Sequence, residues 1–215
     1  MSILEDISTK LQAGKKKDVA ALVNTALEEG IPAQEILRDG LLAGMSVIGE
    51  KFKVNEVYVP EVLIAARAMK SGMELLKPHL ISEDVKPSGK VCIGTVQGDQ
   101  HDIGKNLCKM MMEGKGLEVV DLGVDVAPQT FVDAVREQGC QIICCSALLT
   151  TTMGVMKDVV ELCVKEGIRD QVKIMVGGAP LTDAFCKSIG ADAYTPDAAS
   201  CADVALELCT AMNNA

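Results

Sequence analysis

Apolar positions fall into two regimes along the chain. From the N-terminus to about residue 80 they recur at spacings of three and four, the period of helices with one buried side. Ser2 is placed to cap a first helix that stops near Gly14. A second runs from about Lys16 to Glu29, with Val19, Leu22, Val23, Ala26 and Leu27 on one side, and Gly30 ends it. Pro32 falls in the first turn of a third helix, where proline is tolerated. Its stripe is Ile36, Leu37, Leu41, Met45 and Ile48, and it runs to about Phe52. After a polar link from Lys53 to Tyr58, Pro60 opens a fourth helix with the stripe Leu63, Ala66, Met69, Met73 and Leu76, and Pro78 closes it. Four helices with short connections predict a bundle, a domain over 1–85. Residues 81–90, ISEDVKPSGK, are polar, carry Pro and Gly and show no period, so they read as a linker.

From Lys90 the period changes. Apolar runs at Val91–Val96, Glu118–Leu122, Gln141–Ser146 and Val172–Val176, with a weaker one at Ala193–Thr195, alternate with helical patterns at about 103–114, 128–138, 152–166, 181–188 and 198–212. Repeated strand–helix units of this length imply a parallel sheet covered on both faces. The predicted fold class is therefore α + α/β: a four-helix bundle, then a flavodoxin-like, Rossmann-type five-stranded parallel sheet over 90–215. Five units suit the strand order 2-1-3-4-5, in which the ends of the first and third strands flank the ligand-binding switch point.

Composition narrows the function classes. The net charge of −9 argues against a nucleic-acid or anionic-membrane surface. No apolar run approaches the roughly 20 residues of a membrane span, and MSILEDISTK lacks an apolar signal core, so a cytoplasmic protein is expected. Aromatic residues make up 2% of the chain, so the core must be aliphatic and rich in methionine. The nine cysteines include no C-x-x-C pair. Cys92, Cys140, Cys144 and Cys145 sit in strand runs and read as small, reduced hydrophobes rather than ligands of zinc or an iron–sulfur cluster.

Candidate chemistry gathers after the strands. The first strand leads into Gly98-Asp99-Gln100-His101-Asp102-Ile103-Gly104, which holds one of the two histidines. An imidazole with a carboxylate two residues before it suits a metal ligand with an orienting partner; turn and capping roles for Asp99 and His101 are the alternative. The third strand ends at Ser146-Ala147-Leu148, followed by the hydroxyl run Thr150, Thr151 and Thr152, which suits helix capping as well as ligand contact. The fourth ends at Gly177-Gly178, either a tight turn or a place where a ligand lies against bare backbone. Three unusual loops on one sheet edge favour a ligand site over three unrelated turns.

In combination, D-x-H-x-x-G (Asp99, His101, Gly104), S-x-L (Ser146, Leu148) and G-G (Gly177, Gly178) resemble the cobalamin-binding domain of B12-dependent enzymes. The sequences G-E-K-F at Gly49–Phe52 and V-P-E-V-L-I-A-A-R-A-M-K at Val59–Lys70 resemble the helical cap domain of cobalamin-dependent methionine synthase. The chain is most similar to the stand-alone corrinoid proteins of methanol and methylamine methyltransferase systems, from about residue 5 to 210. The resemblance implies a corrinoid bound with its benzimidazole off cobalt and His101 as lower axial ligand. It implies a relay from His101 through Asp99 to a hydroxyl, here Thr152 where methionine synthase has serine. The nucleotide tail would enter a channel lined by Ser146 and Leu148, with Gly98, Asp102, Ile103, Gly104, Thr150, Gly177, Gly178, Tyr194 and Thr195 close by. Phe52, Val59 and Val62 would cover the upper face and keep solvent from a light-sensitive methyl–cobalt bond, with 81–90 as a hinge. Such a protein is a methyl carrier rather than a complete enzyme. Its partners would be a substrate-specific methyltransferase, a second one passing the methyl group to a folate or thiol acceptor, and a reductive activator. The alternatives are the B12-binding subunit of an adenosylcobalamin isomerase, where such a cap is not expected, and a B12-dependent regulator, which would need a basic DNA-binding module.

Overall fold

The computed structural model describes residues 2–83 and 85–214. The chain divides into two compact units, one of residues 1–87 with 114–116, the other of 88–113 with 117–215.

The first unit is helical. Helix α1 (Ile3–Gln12) starts on a capping box: the Ser2 hydroxyl accepts from the Glu5 N–H, and the Glu5 carboxylate accepts from the Ser2 N–H. Helix α2 (Lys16–Glu28) buries Val19, Val23 and Ala26. The expected third helix is continuous over 33–53 but composite: α3 (Ala33–Glu35), a π-helical stretch Ile36–Leu42, and α4 (Ala43–Lys53). The π stretch was not predicted. Pro32 lies just outside α3, at its N-cap, rather than in its first turn. Gly40 and Gly44 let α1 approach closely: a Cβ on Gly40 would lie 3.0 Å from Ile7 Cγ2, and one on Gly44 3.1 Å from the Ser8 carbonyl oxygen.

Helix α5 (Val59–Ser82) corrects two expectations. Its fully buried side carries Val62, Ala65, Ala68 and Leu76, with Leu63, Ala66 and Met73 only half-buried. The helix turns this way because Gly72 admits Leu41, whose Cδ2 would be 2.9 Å from a Cβ there. Nor does Pro78 end the helix. It sits on the exposed side between Lys77 and His79, where a carbonyl that has lost its N–H partner can be hydrated. Continuing the helix buries Leu80 and brings Glu83 to the start of α3, where its carboxylate accepts from the Ala33 and Gln34 N–H groups at 3.0 and 3.2 Å. Ile81 and Ser82 are therefore helical, not linker; Asp84 lies outside the described residues. Pro78→Ala is expected to raise resistance of this unit to urea, by about 1–3 kcal/mol on helix propensity, with equal midpoints as the contrary result.

The second unit is a five-stranded sheet of parallel pairs in the order β2-β1-β3-β4-β5: β1 (Lys90–Val96), β2 (Glu118–Val126), β3 (Ile142–Ser146), β4 (Lys173–Gly177) and β5 (Ala193–Tyr194). Strand β2 is longer than predicted. The helices are α6 (Ile103–Glu113), α7 (Pro128–Gln138), α8 (Gly154–Lys165), α9 (Asp183–Ser188) and α10 (Ala198–Asn213). The order reverses direction after β1, so right-handed crossovers put α6 on one face and α7 and α8 on the other. Accordingly α6 packs on α10, and α7 on α8. Phe131 of α7 is fully buried against Gly94, where a Cβ would be 2.9 Å from the ring Cζ. Strands β1 and β3, buried except at Lys90 and Ser146, bring their C-terminal loops to the point where the order reverses, as for ligand sites in such sheets.

Candidate functional site

At the C-terminal edge, Thr95 of β1, Ser146 of β3 and Gly177 of β4 are neighbours in register. Beyond β1 the chain turns at Gly98, with a left-handed φ of 85° that glycine adopts without steric cost. Asp99 follows, its side chain completely buried. Asp99 Oδ1 accepts from the His101 N–H at 3.0 Å and faces His101 Nδ1 at 2.6 Å. Asp99 Oδ2 accepts from the Leu148 N–H at 2.7 Å and the Leu149 N–H at 3.1 Å, and lies 3.3 Å from Thr152 Oγ1. One carboxylate thus joins the loops after β1 and β3.

Electrostatics follow from this wiring. Burial alone would push the Asp99 carboxyl up, but the Leu148 N–H, the His101 ring and N–H, and the Leu149 N–H together outweigh it and hold the carboxyl well below the usual range. An ionised Asp99 only accepts, so His101 Nδ1 carries the proton between them. In the neutral ring Nε2 then holds the free lone pair. The side chain is 51% exposed, so this nitrogen is available to a ligand. Thr152 is buried, and its hydroxyl has one proton and two acceptors in reach: the Leu149 carbonyl at 2.9 Å is nearer than Asp99.

Four glycines of the motifs separate into two kinds. Gly98 serves the turn. A Cβ on Gly178 would lie 1.8 Å from the Ala147 carbonyl oxygen, and its φ is 136°, so its own fold demands glycine. Gly104 would meet nothing within 4 Å, and Gly177 only the Thr195 carbonyl oxygen at 3.8 Å. Internal packing gives these two no reason to lack a side chain, whereas a ligand pressed against them does. Ile103, Leu148 and Leu149, 76%, 45% and 40% exposed, leave apolar side chains beside the polar His101 loop. Among the described residues no group of three or more His, Cys, Asp or Glu could hold a metal ion. A lone imidazole donor flanked by apolar side chains and open glycines fits a metal that arrives within its own macrocycle and needs one protein ligand.

The remaining expected residues are placed as follows. The Asp102 carbonyl accepts the Asn106 N–H at 2.8 Å and its carboxylate accepts from Asn106 Nδ2 at 3.1 Å, so Asp102 starts α6. Thr150 is exposed in the turn before α8. Tyr194 pairs with Val176, and Thr195 is buried beside Gly177. Phe52 and Val59 lie in the helical unit and are half-buried; Val62 is fully buried.

Two residues at this edge escaped the sequence reading. Buried Thr95 donates through Oγ1 to the His101 carbonyl at 2.7 Å. Asp125, at the end of β2, donates its N–H to the Asp99 carbonyl at 3.0 Å and accepts from the Gly98 N–H at 2.7 Å. Thr95 left a signal: it is a hydroxyl in an otherwise apolar buried strand and must find a partner. Asp125 left none. Nearby, the buried Lys105 of α6 pairs with Asp121 of β2 at 2.6 Å, and Lys109 adds a second contact at 3.2 Å. Against the upward push of burial, these lysines and the Gly123 N–H hold the Asp121 carboxyl below its ordinary value.

Fold and loop together define a cofactor-binding α/β domain that offers a single histidine, preceded by a helical unit. Residues 89–202 match the model of the B12 binding domain, and residues 3–77 match a second B12 binding domain model. The chain is 40% identical over 206 residues to dimethylamine corrinoid protein 3 of Methanosarcina acetivorans, covering 96% of each chain. It is 45% identical over 177 residues to trimethylamine corrinoid protein 1 of the same organism, covering 81% of this chain and 82% of that one. The methanol:cobalamin methyltransferase complex MtaBC from Methanosarcina barkeri superposes with a TM-score of 0.85 at 28% identity, over 96% of this chain and 79% of that one. The chain belongs to the corrinoid proteins with B12 binding domains, as the three loop motifs implied. No helix among the described residues is long and apolar enough to cross a membrane.

Proposed function

We propose that this protein is a methyl carrier that holds a corrinoid with the benzimidazole off cobalt and His101 in its place. One methyltransferase would load it from a small donor; the relatives' names favour a methylamine or methanol. A second would unload it to a folate or thiol acceptor, and a reductive activator would restore the cofactor after oxidation. The observation that carries this reading is His101, turned by a buried anionic Asp99 so that one ring nitrogen is committed and the other is free.

When bound, the corrinoid supplies the cobalt that takes up and gives up the methyl group. The chain's own residues orient, tune and shield. As the Nδ1 proton moves toward Asp99 Oδ1, Nε2 becomes a stronger donor; as it moves back, a weaker one. Gly104 and Gly177 admit a large ligand against backbone, and Ser146, Thr150, Tyr194 and Thr195 offer hydroxyls to its polar tail, with Leu148 and Ile103 as apolar contacts. Phe52, Val59 and Val62 are assigned to the cover that keeps solvent away, and residues 85–90 to the bend that opens it. We place this chemistry in the cytoplasm, which nine unpaired thiols support.

The test is the cobalt(II) electron paramagnetic resonance of protein loaded with cobalamin. An axial nitrogen-14 splits the signal into triplets. Protein grown on nitrogen-15 histidine is expected to give doublets, and His101→Ala to lose the splitting. Triplets unchanged by the labelled histidine would mean that benzimidazole remains on cobalt, and the reading would fall.

A further inference from the structure

We propose that Thr95 and Asp125 are positioning residues for His101, fixing the backbone of its loop before any ligand arrives. The inference rests on the reading of His101 as the axial ligand. It concerns two residues outside the D-x-H-x-x-G motif, on different strands.

Thr95 is 0% exposed, and its hydroxyl donates to the His101 carbonyl at 2.7 Å. Asp125 has a φ of 55°, a left-handed conformation uncommon outside glycine and best tolerated by Asn and Asp. That conformation accompanies two bonds to consecutive residues: its N–H reaches the Asp99 carbonyl and its carboxylate the Gly98 N–H. The His101 N–H is held by Asp99 Oδ1. The loop is thus tied before His101 by β2 and at His101 by β1. The imidazole pivots from a fixed Cα, and its one adjustable bond is to Asp99. A ligand held within a few tenths of an ångström of its productive place needs supporting groups of this kind. The Lys105–Asp121 pair on the same strand ties α6, just after the loop, to β2.

Four single variants test this. Thr95→Val keeps shape and removes the donor; Thr95→Ser restores it. Asp125→Ala removes the acceptor and places an ill-suited residue at positive φ; Asp125→Asn keeps an acceptor oxygen and tolerates that φ. The first readout is amide hydrogen exchange of cofactor-free protein. Exchange at 98–102 is expected to rise about tenfold in the Val and Ala variants, with strands β3 and β4 unchanged, and to return to wild type in Ser and Asn. The second is the nitrogen-15 histidine signal and the affinity for cobalamin. The Val and Ala variants are expected to lose part of the histidine-derived splitting and to bind about 10-fold more weakly, the low end for groups that orient a metal ligand. Wild-type exchange in both Val and Ala variants would overturn the proposal. So would faster exchange with an unchanged histidine signal, which would make the two residues structural only. If Thr95→Val does not fold, Asp125→Ala, altered at an exposed side chain, decides alone. Failure of the axial-ligand reading is separate: it appears in wild type as triplets that ignore the histidine label.

Discussion

Asp99→Ala is expected to collapse the site rather than weaken one bond. The substitution strips partners from the Leu148 and Leu149 N–H groups, the His101 N–H and the His101 ring at once. Each buried donor left unpaired costs about 1–3 kcal/mol. With the Leu148 and Leu149 bonds to Asp99 part-buried, a loss of about 2–5 kcal/mol in unfolding free energy follows for the α/β unit, read by urea denaturation. Cobalamin affinity should fall by about 100-fold, because the ring loses both orientation and the charge that favours a proton on Nδ1. Asp99→Asn is the milder case. Its one oxygen can serve either the Leu148 side or the His101 side, and its NH2 then meets donors on the other. A drop in affinity with smaller loss of stability is expected. Wild-type stability in Asp99→Ala would show that the carboxylate does not organise the two loops.

The glycines give the second large effect, and its value lies in a contrast. Gly178→Ala puts a Cβ into the Ala147 carbonyl at a φ that only glycine adopts with ease. Such backbone costs about 1–3 kcal/mol, and forced overpacking about as much again, so the unit should lose about 2–6 kcal/mol. The Ala147–Leu149 segment must shift, and with it the donors to Asp99. Gly104→Ala meets open space and Gly177→Ala only an ordinary contact with the Thr195 carbonyl oxygen, so stability should hold. Gly104 lies in the first turn of α6, where alanine even favours the helix by up to about 1 kcal/mol. Both should nevertheless bind cobalamin at least about tenfold more weakly, since the new methyl group stands where a ligand would press. Unchanged affinity in both would mean that these glycines face no ligand.

Much of this was legible in the sequence because it is written in period and in side-chain type. The change from spacings of three and four to short apolar runs located the two regimes, and the three loops identified the sheet edge. The errors have local causes. Pro78 reads as a stop by propensity, yet Leu80 and Glu83 reward the helix for passing through it. The face of α5 was misjudged because Gly72, a residue without apolar weight, marks a close contact with Leu41. The π stretch in the third helix leaves the apolar spacing nearly intact and so no trace. At the site, His101, Asp99 and the glycines announce themselves by type. Asp125 acts through its own N–H, its φ and a carboxylate bond to the sequence-distant Gly98 N–H, none of which a one-letter code carries, and the Leu148 and Leu149 contributions are pure backbone.

The cysteines allow a different kind of experiment. All nine are unpaired and all lie beyond residue 91, in the sheet-containing unit. Eight are buried and Cys108 is half-buried. Burial pushes the Cys163 and Cys209 thiols up to about 11 and Cys145 further still, so almost none of each is thiolate at neutral pH. Alkylating reagents will therefore modify these three chiefly when the surrounding structure opens. The helical unit, without a thiol, stays silent. Mass spectrometry of the modified chain then times the opening of one unit separately from the other. A ligand that binds only the closed form slows that clock by the factor 1 + [L]/Kd when opening is fast and reversible, so an affinity can be measured on an unlabelled wild-type chain without following the colour of the cofactor.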